Sequence, residues 1–367
     1  MSDVSVLFSP FRLAGLDLAN RFVMAPMTRS HSPGGVPGED VAAYYRRRAA
    51  HAVPLIITEG TAIDHPAAVS NAAIPRFHGE DALAGWARVV REVHAAGGRI
   101  MPQLWHVGMA RKPGDLPNPD APPVGPSGLD WSGTPVSRPL DEREIGDIIA
   151  AYARAAADAR RLGFDGIELH GAHGYLIDQF FWAKTNVRTD RWGGDAVART
   201  RFAAEVVRAC RQATSPDFPI VLRFSQWKLR DYEARLVETP ARLEAFLAPL
   251  VEAGVDVFHC STRRFWQPEF DGSPLNLAGW TRRLSGRPTI TVGSVGLDND
   301  FMSGLVQRQP AGTTGIEMLV EMIARQDVDL VALGRTLLVD PAWVEKVREG
   351  RLADLLPFTP DALAVYA

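Results

Sequence analysis

The chain has 367 residues, enough for two average domains or one large α/β barrel. Apolar residues make up 46% and charged residues 23%, and the formal net charge is −3, an ordinary soluble composition that favours neither nucleic acid nor an anionic membrane surface. The opening MSDVSVLFSP lacks the basic and apolar regions of a signal peptide, and there is no apolar run of about 18 residues to span a membrane, so a cytoplasmic location is expected.

In chain order, FRLAGLDLANR (11–21) reads as a β-hairpin turning at Gly15. RFVMAPM (21–27) then reads as a first strand and 38–51 as its helix. The same rhythm continues with strands at 53–60, 99–106 and 164–170 and helices at 80–97, 141–163 and near 196–213. In the second half, strands at 218–225, 255–261, 287–294 and 328–334 precede helices at 239–254, near 275–285, at 315–326 and at 340–350. The strand runs are short, apolar and rich in β-branched residues, as buried parallel strands are. Eight successive βα units predict an α/β fold of the (β/α)8 TIM-barrel class, a single domain over 1–367, with an N-terminal β-hairpin. The length beyond a minimal barrel lies in long βα loops, chiefly 107–140 and 225–238. Cys210 and Cys260 form no CxxC pair, which argues against a disulfide framework, a four-cysteine zinc site and a four-cysteine iron–sulfur cluster.

Catalytic residues of such a barrel lie at the C-terminal ends of its strands and in the loops that follow. Polar and glycine residues fall there: Thr28; Glu59 and Gly60; Gln103; His170 and His173; Arg223; Gly293 and Ser294; Gly334 and Arg335. VGSVG (292–296) and LGR (333–335) match the usual phosphate site of this architecture, with Arg335 as a charge-assisted partner. Neither a Walker A motif nor a GxGxxG after a first strand is present, so a Rossmann dinucleotide domain is not expected. ELHGAHGY (168–175) places two imidazoles and a phenol within six residues. One reading is a set of hydrogen-bond donors for a developing oxyanion. Others are half of a zinc site, as in a metal-dependent barrel hydrolase, or histidines that are satisfied structural groups.

APMTR (25–29), QLWHVG (103–108), HGAHGYL with the downstream TNVRTDRWGG (170–194), LRFS (222–225) and LGR together resemble the old yellow enzyme family. The resemblance covers nearly the whole chain. It implies an FMN-dependent NAD(P)H oxidoreductase, an ene-reductase acting on enones and also on nitro compounds by a ping-pong scheme, with tightly bound FMN and NADPH or NADH as reductant. It assigns FMN contacts to Ala25, Pro26, Met27, Thr28, Gly60, Gln103, Arg223, Gly293, Ser294, Gly334 and Arg335. Gln103 would meet the pyrimidine edge of the flavin, and Arg223 would lie near N1 and the C2 carbonyl. His170 and His173 would bind the electron-withdrawing group of the substrate, and Tyr175 would deliver a proton to the α-carbon. Trp266, in the bulky loop that also carries Arg263, Arg264 and Phe265, is expected to line the substrate pocket. Phe181 and Trp182, where many relatives have smaller residues, are expected to alter packing beneath the site. No metal is expected on this reading, the partners are small molecules, and the oligomeric state is open. A flavin-binding protein without turnover is a further alternative. Amine-demethylase and dienoyl-CoA-reductase relatives carry a cysteine-ligated cluster, which two cysteines do not supply.

Overall fold

A computed structural model describes residues 3–300 and 302–366. The hairpin pairs β1 (Phe11–Leu13) with β2 (Leu16–Leu18), and its two-residue turn puts Ala14 and Gly15 at positive φ. Both central residues of a tight hairpin turn adopt such angles because they match the twist of the flanking strands. Eight parallel strands then close a barrel: β3 (Phe22–Met24), β4 (Leu55–Ala62), β5 (Arg99–Trp105), β6 (Ile167–His173), β7 (Ile220–Lys228), β8 (Val257–Ser261), β9 (Thr289–Val292) and β10 (Leu330–Leu333). Closure pairs Phe22 with Val331 and Met24 with Leu333.

The main outer helices are α1 (Glu39–Ala50), α2 (Glu80–Ala95), α3 (Glu142–Arg161), α4 (Leu176–Phe181), α5 (Arg201–Ala213), α6 (Pro240–Ala253), α7 (Leu277–Ser285), α8 (Glu317–Ala324), α9 (Arg335–Val339) and α10 (Trp343–Arg348). Their limits follow local chemistry. Asp141 and Glu144 form a reciprocal capping box at the start of α3, and Thr239 caps α6 ahead of Pro240. Gly254 and Gly286 end α6 and α7 in the left-handed region. Among the described residues no helix is long and apolar enough to cross a membrane.

Side chains of a strand alternate between faces, so inward residues follow a period of two. One inward set is apolar: Val23, Leu55, Met101, Val221, Val257, Ile290 and Leu330 pack together with Leu13 and Leu18 of the hairpin. The hairpin thereby seals the end of the barrel where the strands begin. Two residues further along, the same faces present Gln103, Arg223 and His259; beyond them come Trp105 and Ser261. The odd-even rule therefore turns the interior from apolar to polar toward the strand C-termini.

Four elements differ from the sequence expectation. β6 continues past His170 to His173 through a register shift after Gly171, and β7 continues to Lys228, whose partner in the ladder is His173. The apolar stretch after Tyr175 is the helix α4, and α9 follows directly on β10. Leu13 is fully buried in the basal cluster. Leu13→Ala is expected to cost about 2–5 kcal/mol, the usual range for emptying a packed leucine site. Chemical denaturation should show this as a lower midpoint at unchanged slope.

Candidate active site

At the open end of the barrel lies a cavity of about 340 Å³. Its reactive side chains come from the end of β6, where the backbone is unusual. His173 has φ of 66° and Gly174 of 83°, left-handed values that turn the chain back so that Tyr175 faces His170. Gly174 is held on both sides: its N–H donates to Asp178 Oδ2 at 2.6 Å, and its carbonyl accepts from Gln179 Nε2 at 2.7 Å. Lys228 Nζ lies 2.7 Å from Asp178 Oδ1, and neither side chain reaches solvent. A buried ion pair needs added hydrogen bonds to offset its desolvation; Asp178 has one from the turn itself, and Lys228 donates another to the Ser225 carbonyl on β7.

His170 Nδ1 accepts from the Ala172 N–H at 3.3 Å, which leaves the proton on Nε2. No protein group among the described residues takes that proton. His173 Nε2 lies 2.8 Å from Ser261 Oγ, and its backbone N–H donates to Ser225 Oγ. The two rings stand 5.2 Å apart and perpendicular. Burial, reinforced by Arg223, holds both imidazoles well below the usual histidine range, so both are neutral near pH 7. Tyr175 sits edge-on to Trp105 at 4.8 Å and to His170 at 5.0 Å, and burial pushes its phenol up to about 12.

Arg223 is buried, its Nε has no partner, and no carboxylate among the described residues lies within ion-pair distance of it. A desolvated cation without a carboxylate lining a cavity calls for an anionic or strongly polar ligand. Opposite the imidazoles, Gly293 has φ of 145°, and a Cβ there would meet Thr262 Oγ1 at 2.6 Å, so only glycine fits. Arg335 reaches Asn299 through Oδ1 and its carbonyl, and lies 3.5 Å from Ser294 Oγ. Burial lowers Arg335 to about 10, which leaves it charged at neutral pH.

The family model described as NADH:flavin oxidoreductase / NADH oxidase matches residues 6–354. The chain belongs to this family. It is the old yellow enzyme family, whose members are FMN-dependent oxidoreductases. The chain is 35% identical over 366 residues to NADH oxidase of Thermoanaerobacter brockii, a match that covers 96% of this chain and 52% of that protein. It is 41% identical over 224 residues to 12-oxophytodienoate reductase 7 of Oryza sativa subsp. japonica, covering 58% of this chain and 56% of the reductase. The chain thus spans little more than half the length of these curated relatives. The structure of morphinone reductase in complex with tetrahydroNAD superposes with a TM-score of 0.80 at 31% identity, covering 97% of this chain and 93% of that one.

Of the residues singled out from the old yellow enzyme motifs, Ala25, Pro26, Met27, Thr28, Gln103, His170, His173, Tyr175, Arg223, Gly293, Ser294, Gly334 and Arg335 all line the one cavity. Two expected contacts do not. A Cβ on Gly60 would meet the Trp105 ring at 2.5 Å, so this glycine makes room for the tryptophan and lies outside the cavity lining. Trp266 packs edge-on against Phe265 at 5.1 Å and is also absent from the wall; of that loop Arg263 lines the cavity, while Arg264 pairs with Asp300. Phe181 and Trp182 are buried behind the turn, Trp182 close to Lys228. The TNVRTDRWGG segment is a brace. Arg188 donates to the carbonyls of Pro126 and Leu140, pinning the 107–140 loop, and Trp192 Nε1 donates to Glu142.

Residues to which the motifs assigned no role also line the wall. Trp105 and Ser261 extend the inward alternation of β5 and β8, and the same count on β7 reaches Trp227, so the period of two contained them. Leu363 has no such signal; it arrives from the C-terminal segment, where Arg29 donates to the carbonyls of Leu363 and Val365 and Tyr366 stacks between His31 and Tyr44. Among the described residues no three His, Cys, Asp or Glu side chains gather as metal ligands.

Glu59 fixes the segment after Thr28, since its Oε2 accepts from the N–H groups of Arg29 and Ser30 at 2.8 and 3.0 Å. Burial outweighs those bonds and raises its carboxyl from 4.5 to about 7. A carboxyl that titrates higher in the folded than in the unfolded chain binds more protons when folded, so its contribution to stability falls as pH rises between those two values. At about 1.4 kcal/mol per pH unit the loss comes to about 3 kcal/mol by pH 8. Glu59→Gln, which mimics the protonated form, should remove this slope. Denaturant unfolding at pH 5 to 8 should show the parent losing ground to the variant by that amount, and a constant difference would mean Glu59 does not titrate there.

Proposed function

We propose that the chain is a single FMN-binding barrel domain that passes hydride from NADH or NADPH, by way of FMN, to the β-carbon of activated alkenes such as enones, and also to nitro compounds, in a ping-pong sequence. The observation that carries this reading is the convergence on one cavity of an unpaired cation, Arg223, with the neutral donors His170 and Tyr175. The residues fit FMN in kind. Arg223 offers a cation to the pyrimidine side, Gln103 an amide to its edge, and the Gly293–Ser294 turn with Arg335 a place for the phosphate. The names of the relatives support the direction, since one is an NADH oxidase and another a reductase of an oxophytodienoate. The buried free thiols Cys210 and Cys260 fit a cytoplasmic setting.

Bound FMN supplies the hydride from its N5. The protein's part is to stabilise charge and move a proton. As hydride reaches the β-carbon, negative charge grows on the carbonyl or nitro oxygen of the substrate. His170 Nε2 donates to that oxygen, and because the imidazole is neutral it donates without giving up its proton. One such preorganised donor is worth about 3–4 kcal/mol. Ser261 holds the His173 ring in place beside it. Tyr175, still protonated at any working pH, gives its proton only to a base as strong as the forming enolate at the α-carbon.

Denatured protein should release about one FMN per chain; release of FAD, or no flavin after purification with FMN supplied, sinks the assignment. Tyr175→Phe should leave flavin reduction by NAD(P)H intact and slow enone reduction about 10²–10⁴-fold, the usual cost of a lost general acid. Nitroalkenes should be less affected, because a nitronate is stable enough to take its proton from water. Stopped-flow measurement of the two half-reactions decides this, and equal losses in both would show that Tyr175 shapes the site and donates nothing.

A further inference from the structure

Beneath the cavity floor, Glu168 on β6 lies fully buried inside the barrel. Its Oε1 accepts from Gln103 Nε2 at 2.8 Å, and its Oε2 lies 2.6 Å from His259 Nδ1. Burial lowers the pKa of His259, and its Nε2 has no partner, so the ring is a neutral donor to Glu168. Glu168 is also the acidic group that acts on Arg223 through space: it raises the guanidinium's pKa, which burial lowers. It does so without reaching hydrogen-bond distance, and so without occupying the Arg223 donors.

We propose that Glu168 is the positioning residue of the flavin site, orienting Gln103 by hydrogen bond and balancing Arg223 by charge. The inference rests on the FMN reading above and deepens it. A carboxylate only accepts hydrogen bonds, so the Gln103 amide must turn its nitrogen toward Glu168. No donor among the described residues reaches Gln103 Oε1, and the amide presents that acceptor, with its second N–H, to the cavity. An acceptor beside a donor complements the C(=O)–NH edge of a pyrimidinedione ring. Without Glu168 the amide is free to flip and loses that preference. Charge acts separately from this hydrogen bond. Glu168 and Arg223 sum to zero beneath the cavity, and His259 adds nothing. Removing the carboxylate charge leaves a net cation under the pyrimidine ring. That ring carries extra negative charge in reduced FMN and none in oxidised FMN, so the loss favours the reduced form.

Two variants separate the two roles. Glu168→Gln removes the charge and keeps an acceptor for Gln103; Glu168→Leu removes both. Each is prepared as apoprotein and titrated with FMN and with N3-methyl-FMN, and the midpoint potential of each FMN-loaded form is measured with reference dyes. Parent protein that binds no FMN overturns the flavin reading itself, whatever the variants do. Where the parent binds FMN and prefers it to N3-methyl-FMN, both variants should favour reduced over oxidised FMN by at least tenfold more than the parent, which for a two-electron couple is a rise of about 30 mV. The preference for FMN over its N3-methyl analogue should survive in Glu168→Gln and fall to within about threefold of none in Glu168→Leu, as expected for one lost hydrogen bond. If Glu168→Leu does not fold, Gln103→Leu carries the N3 comparison and Glu168→Gln the potential. Folded variants with the parent's potential and the parent's N3 preference overturn the proposal. A merely structural glutamate would lower FMN affinity in both redox states equally and leave the potential unmoved.

Discussion

The site depends on a constraint of closed barrels: an inward side chain has no solvent and no helix to turn to, only the neighbours that strand register gives it. Gln103 stands beside Glu168, and Arg223 lies between His170 and His259 in the ladders. Each polar residue inside must therefore find its hydrogen bonds within the barrel or in whatever fills the mouth. The apolar set sealed by the hairpin keeps water from entering at the base. That is why atoms such as Arg223 Nε and His259 Nε2 can remain without partners. Buried polar groups are normally satisfied, and the orphaned Arg223 Nε and Trp105 Nε1 both belong to side chains that line the one cavity, where a ligand would meet them.

Burial also decides the protonation states on which the chemistry turns. The imidazoles of His170 and His173 are kept neutral, the phenol of Tyr175 is kept protonated, and Arg223 and Arg335 remain cations. The cavity thus offers donors of graded strength and no exposed base. A second layer holds these groups in place: Ser261 for His173, the Asp178–Lys228 pair and Gln179 for the Gly174 turn, and Glu59 for the backbone after Thr28. Positioning by packed and hydrogen-bonded neighbours is what makes a donor set preorganised.

The barrel was legible because its strands are short apolar runs at regular spacing, and the hairpin because Gly15 sits between two alternating segments. Most of the site was legible because strand ends in this architecture point at one mouth, and the family motifs named the residues there. What escaped did so for physical reasons. Trp105 and Ser261 follow the inward count on β5 and β8, yet a tryptophan or serine at a strand end carries no chemical signature. Gly60 resembles a ligand-approach glycine in sequence, but its empty side is taken by the Trp105 ring. Trp266 looks like a pocket aromatic, but a loop that ties Arg263 to the Tyr232 carbonyl and Arg264 to Asp300 turns it onto Phe265. The RTDRWGG segment is distinctive in sequence because it braces a loop, and distinctiveness alone does not separate bracing from catalysis.

The docking of the C-terminal segment has a consequence for joining this protein to others. Leu363 touches the cavity, and the carbonyls of Leu363 and Val365 are gripped by Arg29, one residue from Thr28. A polypeptide fused after this segment begins its course beside the opening. On the function proposed above, a short flexible tether there would hold a nicotinamide-recycling enzyme at an effective concentration on the order of millimolar next to the mouth. The same attachment point would crowd bulky acceptors, so the linker length that best retains coenzyme between the two active centres would trade against the size of molecule admitted.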